Sequence, residues 1–384
     1  MKKKTITIVS DAIYPYNKGG KEKRIYEIST RLAKAGHDVH LYTMKWWGRT
    51  SRYIPGENEN HRIENGVHLH AISPLYPLYS GKRRSIKEAI LFALSCFKLI
   101  KEKFDLIDVD HMPHMVLFPL KLVSLIKNKP LYATWNEVWG RKYWVEYMGI
   151  LGNIAYLIEW LSARMPDTII AVSEHTKRKL IQDLKIKTDI VVIPNGINFE
   201  EIKKVKPAKQ KSDIIFAGRL LSHKNVDVLI RSIALLKKNY EHTIAIIIGK
   251  GPEEKKLKAL SKSLNLEKNI IFYDFLKKHV DLYALMKSSK VFVFPSTREG
   301  FGIVALEANA AGLPVITINH PDNATTDLIK NGKNGAVIEL NEMKFAEKIM
   351  HYLSIKKSSE TYTHNAQKYN WNILAKKVEE AYAK

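Results

Sequence analysis

Two glutamates, two cations and a set of closely spaced glycines in the second half of the chain are the residues whose types and spacing could do chemistry. Residues 291–318 read VFVFPSTREGFGIVALEANAAGLPVITI. Glu299 falls in a polar loop and Glu307, eight residues on, inside the helical stretch that follows, so the two do not work as one pair on one face. The amides of Gly300, Phe301, Gly302 and Ile303 lie at the first turn of that helix, where backbone N–H groups lack intrahelical partners and seat a phosphate. Glu299 faces whatever rests above the strand ends, and Glu307 reaches the hydroxyls of a sugar or ribose. A helix-start carboxylate plus a surface glutamate is the plainer alternative. Glycines on both sides of Phe301 favour close approach by a ligand. Arg219 and Lys224, in GRLLSHKN, put two cations on a short loop after an apolar strand. Such a pair neutralises a diphosphate as a sugar leaves it, with two ordinary surface cations as the alternative.

The elements that must hold these residues alternate between apolar strands and helices. VFVF is a buried parallel strand stopped by Pro295, a helix runs to Gly312, and LPVITI is a second buried strand. Open parallel sheets bind ligands beyond the carboxyl ends of their strands, which is where Glu299 sits. SDIIFAG and TIAIIIG are further strands, and the latter ends in Gly249-Lys250-Gly251-Pro252. GxxxxGK[ST] is absent, which disfavours nucleotide hydrolysis. Residues 325–340 read as a helix, a glycine turn and a short strand, and the tail from 342 as helical with a break around 355–361.

The first half opens the same way. TITIVS is a strand, Ile25, Ile28, Leu32 and Ala35 recur at helical spacing up to Gly36, and VHLYTM is the next strand. GxGxxG is missing, and the Gly19-Gly20 pair alone also suits a plain turn. Residues 45–66, with Trp46, Trp47 and Tyr53, read as an aromatic polar loop before a strand at 67–71. The stretch 81–103 reads as a helix with seven Lys/Arg against two Glu. It fits an anionic lipid surface or, more plainly, a core helix with solvated ends. FDLIDVDHMPH carries Asp108, Asp110, His111 and His114. Trp135, Trp139, Tyr143 and Trp144 offer flat faces for a sugar or lipid, or for packing against the helix that follows. A glycine-broken apolar helix spans 145–165; Ser173 or Thr176 caps the next one, and PNGI at 194–197 reads as the exit from a first domain.

With 384 residues the chain is expected to form two domains. One cysteine, Cys96, excludes a disulfide scaffold and fits a reducing compartment. The start MKKKTITIVSDA is too short in its apolar part for a leader, and no run of 18 uncharged apolar residues occurs. The chain is therefore expected in the cytoplasm, with a peripheral place at the inner face of the cell membrane as an option. A net charge of +23 suits an anionic substrate or bilayer; nucleic acid is not expected, since no nucleic-acid-binding pattern accompanies the charge.

PSTREGFGIVALEANAAGLPVI resembles the signature of the retaining glycosyltransferases of family 4, whose GT-B fold is α/β, with two Rossmann-like domains facing across a cleft. GRLLSHKN resembles their donor loop, PNGI their interdomain segment and residues 369–382 their last helix. The resemblance implies an acceptor domain over 1–200, a nucleotide-sugar domain over 201–360 and a helix over 361–384 that crosses back to the first. It places Arg219, Lys224 and the amides at Phe301, Gly302 and Ile303 on the diphosphate, with Gly19 and Gly20 approaching it. Gly249 approaches the nucleoside, and the base rests between Leu276 and Val280. Glu307 holds the ribose, and Glu299 steadies the sugar. Asp110, or alternatively His111, fills a slot where relatives carry a histidine, and Asn136-Glu137 replaces a second such histidine. The implied reaction moves a hexose from a nucleotide-sugar to a glycan, lipid-linked or small-molecule acceptor, with α linkage and without cofactor or metal. A sugar-phosphate synthase of the same fold and a non-enzymatic anion or nucleic-acid binder are the alternatives.

Overall fold

A computed structural model describes residues 2–17, 19–48, 59–81, 83–355 and 359–383. Tyr53 and Lys82 lie outside the described residues. The chain divides into two compact units, one formed by Met1–Asn195 with Trp371–Lys384 and the other by Gly196–Asn370.

The first unit is built on an eight-stranded sheet. Its strands are β1 (Thr5–Val9), β2 (Asp38–Met44), β3 (His61–Glu64), β4 (Val67–Ser73), β7 (Leu106–Asp110), β8 (Leu131–Trp135), β9 (Thr168–Ala171) and β10 (Asp189–Val192); a separate two-stranded pair, β5 (Tyr79–Ser80) and β6 (Arg83–Arg84), stands apart. The order is β10-β9-β8-β7-β1-β2-β4-β3, parallel throughout except for β3 against β4. Strands β7 and β8 are buried along their whole length, as a sheet covered on both faces requires. Strand order reverses between β1 and β7, so Asp11 and Asp110 come to the same end of the sheet.

Helix α1 (Gly20–Lys34) follows β1 and packs against the last helix of the chain. Ile28 and Leu32 share an apolar cluster with Trp371, Leu374 and Val378 of that terminal segment. The opposite face is covered by α2 (Ile86–Ser95), α3 (Leu117–Lys127), α5 (Gly152–Ser162) and α6 (Glu174–Gln182), and α4 (Gly140–Met148) packs against α5. The helix expected over 81–103 is shorter: Ser85 accepts from the Glu88 amide to start α2, and the chain tightens to a 3₁₀ turn at Cys96–Lys101. The 145–165 stretch breaks at Gly149, where φ is +65, and Gly152 opens α5 so close to α4 that a Cβ on it would lie 2.1 Å from the Trp144 carbonyl oxygen. Ser173 caps α6 by accepting from the Thr176 amide, 2.9 Å away.

The second unit begins with α7 (Phe199–Lys204) and holds a six-stranded, fully parallel sheet. Its strands are β11 (Ile214–Ala217), β12 (Ala245–Ile248), β13 (Ile270–Tyr273), β14 (Val291–Phe294), β16 (Val315–Ile318) and β18 (Gly335–Ile338), in the order β13-β12-β11-β14-β16-β18. A two-residue pair, β15 (Arg298–Glu299) with β17 (Asp322–Asn323), stands outside it. The helices are α8 (Val226–Lys237), α9 (Glu254–Ser263), α10 (His279–Lys287), α11 (Ile303–Ala310), α12 (Glu342–Ser354) and α13 (Ser359–Gln367), which packs on α11. The final helix, α14 (Trp371–Ala381), belongs to the first unit. Strand order here reverses between β11 and β14, and ligands of such sheets bind at that reversal.

Candidate active site

The loops leaving β11 and β14 are stitched together. Asn225 adopts a left-handed backbone (φ +48) and its Nδ2 donates to the Pro295 carbonyl at 2.9 Å and to that of His223 at 3.2 Å. The Thr297 amide and hydroxyl both donate to the His223 carbonyl, at 2.9 and 3.1 Å. Residues from two strands are thereby fixed in one rigid frame. Lys224 ends a 3₁₀ turn within it; its Nζ lies 5.0 Å from the Phe294 ring centre and forms an ion pair with Glu299. The two side chains are only 12% and 13% exposed. Arg219 is exposed, and its side chain has no hydrogen-bond or ion-pair partner among the described residues.

Glu299 is held by the pairing of β15 with β17, opposite Asn323. Asn323 is buried and donates to Thr317 Oγ1 and the Ile318 carbonyl, while its Oδ1 accepts from the Thr325 amide. Thr325 Oγ1 is buried and without a partner, and it fills the space where a side chain on Gly302 would go. A Cβ there would sit 2.3 Å from that oxygen, and φ at Gly302 is +88, so glycine is required twice over. Helix α11 begins at the next residue; the Ala305 and Leu306 amides donate to the Gly302 carbonyl at 3.0 and 3.3 Å, leaving those of Ile303 and Val304 without an intrahelical partner. Phe301 is buried against Tyr369, with ring centres 5.9 Å apart, and anchors the turn. Ile303 opens the helix. Glu307 is buried on α11, not on the surface, where its Oε1 takes hydrogen bonds from His279 Nε2 at 2.7 Å and Tyr283 Oη at 3.0 Å.

Gly249 and Gly251 have an internal reason to be glycine. Their Cβ positions would lie 1.9 Å from the Gly218 carbonyl oxygen and 2.2 Å from that of Leu220. The close approach is to the neighbouring β11 loop of the same unit. Leu276 and Val280, on either side of the start of α10, are half-buried.

In the first unit, the sequence candidates sit in a buried charge cluster. Lys21 Nζ lies 2.7 Å from Asp11 Oδ1 and 2.5 Å from Asp110 Oδ2, and Arg84 also pairs with Asp11. Burial alone would lower the Lys21 ammonium, but the two aspartates hold it above its ordinary value. Burial likewise opposes ionisation of Asp110, yet Lys21 and then His111 bring it down to about 2. Asp110 Oδ1 also accepts from Asn136 Nδ2 at 2.8 Å, so both carboxylate oxygens are engaged. His111 is buried beside Trp135, with ring centres 4.7 Å apart, and its Nε2 has no partner. Lys21, Arg24, Asp108, Asp110 and Asn136 line a small cavity beneath α1.

Gly19 and Gly20 start α1 and are exposed; the Glu22 carboxylate lies against Gly19, and burial raises its pKa. Trp135 and Trp144 are buried packing residues, whereas Trp139 and Tyr143 remain half-exposed. Among the described residues no group of three His, Cys, Asp or Glu is placed to hold a metal ion.

Sequence reasoning missed Asp11, Lys21, Asn225, His279, Tyr283 and Thr325. Only Asp11 carried a usable signal, since it directly follows an apolar first strand whose neighbour also ends in Asp.

Residues 198–369 match the family described as glycosyl transferases group 1, and residues 18–201 match glycosyltransferase family 4. An uncharacterized glycosyltransferase of Haemophilus influenzae is 26% identical over 330 residues, covering 85% of this chain and 84% of that protein. Among solved structures, the sucrose-phosphate synthase of Thermosynechococcus elongatus superposes with a TM-score of 0.80 at 18% identity, over 99% of this chain and 98% of that one. Anabaena HepE, solved with UDP and glucose, gives 0.71 at 17% identity, over 99% of each chain.

Proposed function

This chain belongs to the family 4 glycosyltransferases of the GT-B fold, and on that footing we propose that it moves a hexosyl group from a nucleoside diphosphate donor to an acceptor hydroxyl with retention, forming an α linkage. The observation that carries the reading is the meeting of Lys224, Glu299 and the first turn of α11 where strand order reverses between β11 and β14.

The chemistry follows from charge. As the bond from the sugar's anomeric carbon to the β-phosphate oxygen breaks, negative charge grows on the departing diphosphate. Lys224, once the diphosphate has displaced Glu299 from it, meets that charge together with Arg219 and the amides around Phe301, Gly302 and Ile303. Glu299 then turns to the sugar and stabilises positive character at its ring, while Glu307, braced by His279 and Tyr283, holds the ribose. The base lies near Leu276 and Val280. The acceptor oxygen bonds to the anomeric carbon on the face the phosphate leaves, and its proton passes to the leaving phosphate oxygen. No strong protein base is required. The acceptor is a glycan, a lipid-linked sugar or a small molecule, and Asp110 and His111 belong to the unit proposed to receive it.

The test is release of nucleoside diphosphate from UDP-, GDP- and ADP-sugars, with and without each acceptor class, followed by anomeric coupling constants of the product. UDP-sugars come first, since HepE is solved with UDP. The reading expects acceptor-dependent release that Lys224→Ala and Glu299→Ala abolish. No turnover of any donor, or wild-type transfer by both variants, overturns it.

A further inference from the structure

The first unit leaves an extended apolar surface open to solvent. Helices α2, α3 and α5 send Phe92, Leu120 and Trp160 into one shared core, and α2 lies against α3. Each helix thus has its inward apolar stripe, and each carries a second one facing out. On α2 the outward stripe is Ile86, Ile90 and Leu94, one turn apart, with Ile86 58% exposed. On α3 it includes Leu125 and Ile126, the former 64% exposed. At the corner between α4 and α5, Ile150 is 88% exposed, and Ile154 and Leu157 continue the stripe along α5. Water-facing helix surfaces are ordinarily polar, and a patch spread over three neighbouring helices marks an interaction surface.

The exposed charges around the patch are mostly positive. Arg83 and Lys87 stand at the start of α2, Lys98, Lys101 and Lys103 follow it, and Arg141 and Lys142 lie on α4, all but the last-named helix within one segment and all exposed. Fewer carboxylates offset them: Glu88 and Glu159 are buried and Glu102 is half-buried, leaving Glu146 as the exposed acid on α4. A second copy docked face to face would bring these cations against their own kind. An anionic bilayer complements them, with apolar side chains entering the acyl boundary and Lys and Arg reaching the headgroups. No helix among the described residues is long and apolar enough to cross a membrane, so the contact lies in the interface.

We propose that this face of the first unit docks on the surface of an anionic bilayer. The proposal goes beyond sugar transfer and does not depend on it. Its test uses the full chain in a flotation assay, without any sugar nucleotide, against vesicles of phosphatidylcholine alone or with about one-third phosphatidylglycerol. Binding is expected to the anionic vesicles only and to weaken in high salt. The Ile150→Glu/Ile154→Glu and Ile86→Glu/Leu94→Glu variants are each expected to bind about tenfold more weakly. Their melting temperatures should match the wild type, because the replaced side chains are already exposed. Failure to bind, equal binding to both vesicles, or undiminished binding by both variants overturns the proposal. So does a dimer, seen by sedimentation, that the same substitutions dissociate, for that would assign the face to a second copy.

Discussion

Glu299→Gln is expected to tighten the binding of a bare nucleoside diphosphate while slowing transfer. Lys224 is engaged by the Glu299 carboxylate, and both side chains are nearly out of water. A diphosphate that takes Lys224 must first displace that carboxylate. An ion pair this sheltered is worth about 1–2 kcal/mol, the upper end of what exposed pairs give and beyond. Removing the negative charge while keeping the side chain's shape should therefore tighten nucleoside diphosphate binding about 5- to 30-fold. The sugar meanwhile loses the carboxylate beside its ring, and kcat should fall about 10²- to 10³-fold, the scale seen when one preorganised electrostatic contact is lost. Lys224→Ala removes a charge-assisted contact and should weaken binding by about 1.5–3 kcal/mol. The double variant is the decisive control. With no cation left to release, the gain from Glu299→Gln should vanish, a coupling that only contacting residues show. Calorimetric titration of the four proteins with UDP, GDP or ADP, beside their transfer rates, measures this. The reasoning is refuted if Glu299→Gln weakens binding as Lys224→Ala does, or if its gain persists in the double variant.

Three further outcomes are expected. Gly302→Ala places a β-carbon at φ +88, costing about 1–2 kcal/mol, and against Thr325 Oγ1, costing about 1–3 kcal/mol more; calorimetric melting should drop by several degrees and recover in part when Thr325→Ala is added, and an unchanged melt contradicts the strain. Asp108 is pushed up to about 6 by burial, against the pull of Tyr382 and Arg24. Its contribution to stability is thus full below its ordinary 3.8 and lost as pH rises through about 6, a swing of about 3 kcal/mol that urea unfolding should show in the wild type and not in Asp108→Asn. His70 is the reverse case. Burial, then His40, His61 and His68, lower it to about 3, so its neutral ring adds stability above the ordinary 6.5 that is lost as pH falls toward 3; His70→Gln should flatten the acid limb of the melting curve, and a parallel limb counts against it.

The parts of the fold that showed in the sequence are those set by burial. VFVF, AIII and IIFA are apolar runs because both faces of a parallel sheet are covered, and their carboxyl ends marked Arg219, Lys224 and Glu299 as neighbours. What did not show depends on backbone pairing or on contacts distant in sequence. His61–Glu64 holds one large apolar residue, yet it forms β3 by pairing with β4, so the stretch read as loop. Residues 325–340 promised a helix, but Asn323 turns the Thr325 amide into a 3₁₀ start and the chain regains the sheet at β18. The sequence offers Asp110, or alternatively His111, for a slot where relatives carry a histidine, and did not show that Lys21, from the first helix, pairs with Asp110. The burial of Glu307 did not show because its partners, His279 and Tyr283, come from another helix.

The most direct measurement is a crystal structure of the chain with a nucleotide-sugar it consumes. The account expects the diphosphate oxygens within hydrogen-bond reach of Lys224 Nζ and the first amides of α11, Arg219 turned onto them, and Glu299 released from Lys224 to face the sugar. Phosphates bound away from the ends of β11 and β14, with the Lys224–Glu299 pair intact, would contradict it.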